Sequence, residues 1–171
     1  MSDATLPRYA PNHEFPPYAF LPGRDPHPTR NPEGHSYVEG EETPPPYFEA
    51  EDWRANEEYL FGVDLYNHGY LWEAHEAWEG VWIVSKHDDE QRETLQGLIQ
   101  CSAAALKLRL EEPRGFGKLS GAGLARLESV CASESMPYMG FDVAAYARDW
   151  REFAAGEPTD AEERPRIRLS L

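Results

Sequence analysis

After residue 50 the apolar positions recur at helical spacing almost to the end of the chain. Tyr59, Leu60, Val63 and Tyr66 share one side of a helix expected from about Asp52 to Asn67. Asn67-His68-Gly69 then stops it, with Gly69 supplying the left-handed cap. A second helix, from about Tyr70 to Ser85, carries Leu71, Trp78 and Trp82 as a core-facing stripe, with Ala74 and His75 between them. Lys86-His87-Asp88-Asp89 is a short polar loop in which Asp88 or Asp89 can cap the next helix. That helix, about Asp89 to Leu110, is apolar almost all round between Leu95 and Leu108, which predicts a central position. Pro113 ends it. A fourth helix is expected from about Arg114 to Cys131, although Gly115, Gly117, Gly121 and Gly123 weaken its start. The last runs from about Asp142 to Ala155, with Val143, Tyr146, Ala147, Trp150 and Phe153 on one side. No period-two strand pattern competes. The expected fold is all-α, a single helical bundle of about five helices over residues 51–157.

Residues 1–50 follow another rule. Eleven of the fifteen prolines lie at or before Pro46, and proline removes amide donors and keeps its predecessor out of the helical region. Yet Tyr9, Phe15, Tyr18, Phe20, Tyr37, Tyr47 and Phe48 are too many aromatics for a disordered segment. The expectation is an extended arm packed on the bundle, with its first ten or so residues loose. Residues 158–171 read as a charged, frayed tail.

Net charge narrows the partners. At −15 the chain repels phosphate backbones and anionic lipid, so no nucleic acid and no membrane surface is expected. Lysine appears only at positions 86, 107 and 118. No apolar run reaches the ~20 residues that cross a bilayer, and no secretory signal pattern opens the chain. Cys101 and Cys131 form no Cys-x-x-Cys motif. These features together suggest a cytoplasmic protein whose partner is a small molecule or another protein.

The distinctive chemistry is Glu73-Ala74-His75-Glu76. A short loop makes helices two and three antiparallel neighbours, so His75 should lie opposite Leu98, Ile99 and Gln100, and Glu79 opposite Arg92 and Leu95. One interface would then gather His75, Glu79, Arg92, Gln96 and Gln100 among apolar groups. Two metal motifs fail on spacing. A zinc-protease helix needs a second histidine where Glu79 stands, and a di-iron bundle needs a glutamate where Trp72 stands. A looser metal set remains, with His75, Glu76 and Glu79 on the helix and His27 and His35 reaching over from the arm.

Asn67 to Glu76, then Trp82, Arg92 and Leu95-Gln96-Gly97-Leu98-Ile99-Gln100, resemble the helical domain of unknown function family 309. That family is described by an Asn-x-Gly, a Glu-Ala-His-Glu, a following tryptophan and a Gln-Gly-Leu-Ile-Gln. Leu71, Trp78 and Lys107 depart from its usual residues, and Glu111-Glu112-Pro113-Arg114 replaces a common glycine-asparagine. The resemblance implies an all-helical fold and draws attention to the His-Glu pair; it implies no activity. The pocket candidates are therefore Asn67, Glu73, His75, Glu76, Glu79, Trp82, Arg92, Gln96 and Gln100. Three readings fit them: a non-enzymatic binding module with a polar pocket around His75, a metal-dependent hydrolase, or a structural network pairing His75 with Gln100 and Glu79 with Arg92, with function placed on an interaction surface.

Overall fold

Helical periodicity is realised as five α-helices: α1 Glu57–Asn67, α2 Leu71–Val84, α3 Asp89–Arg109, α4 Pro113–Ser133 and α5 Val143–Ala155. Two short 3-10 helices, Ala50–Ala55 and Ala161–Glu163, and one isolated bridge between Tyr138 and Phe141 complete the secondary structure among the residues described, 6–170 of a computed structural model. α3 lies between α2 and α4, while α1 packs on α2 and α5 on α4. Its Leu95, Leu98, Cys101, Ala104 and Ala105 are fully buried, as a central helix requires. None of these helices is long and apolar enough to cross a membrane.

Start and stop signals act locally. Gly69 has φ +88°, and the Asp88 carboxylate accepts from Gln91 N at 2.8 Å to cap α3. Pro113 occupies the first turn of α4, where its missing amide has no partner to lose. α3 and α4 approach closely through Gly97 and Gly123. A Cβ on Gly97 would lie 2.7 Å from Leu127, and one on Gly123 would lie 3.0 Å from the Gly97 carbonyl. The first expected helix is not continuous. Asn56 breaks it at φ −84°, ψ 83°, because its side chain accepts from Tyr59 N at 3.0 Å and so starts α1 afresh.

The segment after α5 is fastened down, contrary to the expectation of fraying. Ala161, Arg164, Ile167 and Leu169 are buried. Arg164 donates to the carbonyls of Ala161 and Tyr66, and Tyr66 Oη donates to Pro165 O at 2.8 Å. Asn67 closes the clamp: its Nδ2 donates to Ile167 O at 2.8 Å and its Oδ1 accepts from Ile167 N at 2.9 Å. Asn67→Ala leaves both backbone groups of Ile167 without that partner. A loss of about 1–3 kcal/mol in urea denaturation is expected, with faster carboxypeptidase trimming. An unchanged midpoint would show that the clamp contributes nothing.

Residues 6–49 carry neither helix nor strand and lie along α1 and α2. Asp64, fully buried in α1, accepts from Arg8 Nε at 3.0 Å, Tyr9 N at 2.8 Å and Ala10 N at 2.9 Å. Residues 8–10 are therefore anchored rather than loose, while residues 1–5 lie outside the described part. Phe15 stacks on Tyr70 at 4.9 Å, Phe20 and His27 pack edge-on to Trp72, and Gln91 Nε2 donates to Phe48 O.

Candidate functional site

α2 turns about 100° per residue, so its polar residues divide between two faces. Leu71, Ala74, Trp78 and Val81 are buried in the core. Glu73 and Ala77 border the arm side. His75 and Glu79 lie on the other side, and Glu76 stands on the boundary, sharing a cluster with each.

On the arm side Glu73 is 5 % exposed. Its Oε1 accepts from Phe20 N at 2.8 Å and lies 2.9 Å from His35 Nε2. The other ring nitrogen of His35 lies 2.7 Å from Ser36 Oγ. Glu73 Oε2, by contrast, is buried and meets no partner among the described residues. Glu73 and His35 border a cavity of about 220 Å³ whose other acidic residues are Glu42, Glu58 and Glu76. Pro16, Phe61, Leu65, Trp72 and Ala77 supply its apolar lining. Glu42 and Glu76 are exposed and form a rim, shared with a wider cleft of about 760 Å³ under Pro44-Pro45-Pro46.

Burial, and after it the crowding of carboxyl groups, shows in their acidities. Burial raises the Glu58 carboxyl, with Glu42 adding to the shift and His13 opposing it. Partial burial, followed by the charges of Glu79 and Glu42, pushes Glu76 up to about 7, against the pull of Arg30. A carboxyl whose folded pKa exceeds its unfolded value holds its proton more tightly when folded. Its ionisation therefore removes stability as pH climbs from about 4.5 to 7. Glu76→Gln should match the wild type in melting temperature near pH 4.5 and become progressively more stable than it toward pH 8. A difference that shrinks with rising pH would contradict this.

On the other face, the ligand atoms of His75, Glu76 and Glu79 all lie within 4.8 Å of one another, with His75 Nε2 3.4 Å from Glu79 Oε2. Burial lowers the His75 pKa despite the Glu79 charge, which keeps a lone pair available at neutral pH. This trio can offer a divalent cation one nitrogen and two oxygen donors.

The remaining sequence candidates are not gathered here. Asn67 is spent on Ile167. Arg92 lies over the Trp82 ring at 4.1 Å and donates to Trp82 O at 3.0 Å rather than pairing with Glu79. Gln100 Oε1 is buried without a partner, and no hydrogen bond joins His75 to Gln100 among the described residues. No hydrogen bond places Gln96 beside His75 among the described residues. His35 joins Glu73, and His27 lies between Phe20 and Trp72 with Nδ1 facing the amides of Thr29 and Arg30, so neither enters the His75 trio.

Three acidic residues escaped the sequence reading. Asp64 had a detectable signal, a charge set among Val63, Leu65 and Tyr66 in an apolar helix. Glu58 and Glu42 had none, since one occupies an ordinary helix start and the other an acidic run.

No curated protein and no solved structure matches the chain. Residues 59–119, from α1 into α4, match a family described as a domain of unknown function. That match spans the motif-bearing segment, and the family it names is DUF309, to which this part of the chain is similar.

Proposed function

We propose that this is a non-enzymatic binding domain whose ligand site is the acidic cavity between the arm and α2. The observation that carries this reading is Glu73, a nearly buried carboxylate that lines the cavity and whose Oε2 has no donor among the described residues. Such an atom costs free energy unless something supplies a proton donor or a positive charge. The site lies on the Glu73 side of α2, one face round from His75, and its roof is the arm. A fragment screen read by ¹⁵N–¹H correlation spectra tests the proposal. Hits should shift amides at 35–36, 58–61 and 72–77; hits confined to other surfaces would overturn it.

A second reading rests on the His75, Glu76 and Glu79 trio: a divalent metal held there, with positions left open for water, as a metal-dependent hydrolase needs. Zinc, manganese and nickel titrations of untagged protein test it. Stoichiometric binding that His75→Ala abolishes supports a metal site; binding that ignores the substitution removes it.

A further inference from the structure

The arm-side cavity has a chemical bias that identifies a class of ligand, and the argument rests on that cavity being the binding site. Glu42, Glu58, Glu73 and Glu76 border it, and the histidine among them is already committed. His35 faces Glu73 Oε1 with one ring nitrogen and Ser36 Oγ with the other, so it has none left for a ligand. With Phe20 N also on Oε1, the Glu73 side chain is held with Oε2 as its one unused acceptor. An anion here would meet four carboxyl groups and be repelled by each that is ionised. A neutral molecule would leave the excess negative charge unanswered. The exposed Arg30, whose charge reaches Glu76, is a competing cation on the arm.

The apolar lining decides between cations. A hard metal ion takes about six oxygen ligands or keeps its waters. Phe61, Leu65 and Trp72 offer it none. An ammonium group on a short hydrocarbon stem uses both kinds of surface, its charge among the lining carboxyl groups and its stem against the aromatic wall. The volume, about 220 Å³, corresponds to about seven waters at ~30 Å³ each, room for a stem of a few carbons.

From the unpartnered Glu73 oxygen, the acidic rim and the apolar wall we infer that the cavity binds a small protonated alkylamine. The probe is n-butylammonium, titrated into the full chain and followed by ¹⁵N–¹H spectra, beside n-butanol, butyrate and magnesium. Saturable shifts at 35–36, 58–61 and 72–77 are expected with n-butylammonium. n-Butanol should bind at least about tenfold more weakly and butyrate not at all. Glu73→Gln keeps an acceptor for Phe20 N while removing the charge, and should weaken n-butylammonium at least about tenfold. Glu58→Gln, away from the arm anchor, should weaken it too, which protects the test against misfolding of the first variant. If n-butanol or magnesium binds the cavity as tightly as n-butylammonium, the cavity stands as a site and the amine assignment falls. If n-butylammonium shifts only amides elsewhere, the amine assignment falls. If the fragment screen also avoids the cavity, the binding reading falls with it.

Discussion

Asp64→Ala should destabilise the protein by about 3–5 kcal/mol, the usual cost of removing one partner from a buried charge pair. Asp64 is fully buried and satisfies two backbone amides and the Arg8 guanidinium at once. Alanine would leave all three groups short of an acceptor. The molecule has one escape, which is to let residues 6–15 peel off α1 into water. Peeling restores hydration but exposes Ala10 and breaks the Phe15–Tyr70 stack. The expected loss is therefore the smaller of the two costs. Urea titration separates them, because a detached arm lowers the m-value as well as the midpoint. Limited proteolysis should then cut first within the arm. A variant with wild-type midpoint and protection would show that the arm is held elsewhere.

Gly62→Ala is the second large effect, about 2–4 kcal/mol of destabilisation. A Cβ at Gly62 would collide with the indole of Trp78, whose Nε1 donates to Tyr59 O at 3.3 Å. Trp78 is wholly enclosed and has nowhere to retreat. Overpacking of this kind costs about 1–3 kcal/mol, and losing a buried hydrogen bond adds about 1–3. Better helix propensity returns at most about 1. Packing outweighs propensity. Thermal unfolding of the variant checks the sign: a raised melting temperature would mean that α1 and α2 can separate without penalty.

These sites also mark where the sequence was readable. The periodicity of α2 and α3 and the Gly69 stop were plain, because each is set within a turn or two of its own residues. Even the antiparallel register followed from loop length: Ser102 Oγ donates to Leu71 O at 2.6 Å across the α2–α3 interface, as the facing positions require. What loop length cannot fix is the rotation of α2 about its own axis. Leu71, Ala74, Trp78 and Val81 take the core, which sets His75 and Glu79 to one side and leaves Arg92 to stack on Trp82. The expected polar wall of Arg92, Gln96 and Gln100 dissolves for that reason. The cavity was hidden more deeply, since it depends on Glu42 and His35 returning to α2 across more than thirty residues of chain. The clamps on Asp64 and Asn67 are equally non-local.

Tyr9 Oη accepts from Leu169 N at 3.0 Å, so the two ends of the described chain are within touching distance. This brings residues 9 and 169 together, so that the described residues close into a near ring. A circular permutant that joins the ends by a short flexible linker and opens at the exposed Lys86-His87 turn should rebuild the same bundle. In that rearranged chain α2 and α3 would no longer be consecutive, and their pairing would have to be found through the core alone.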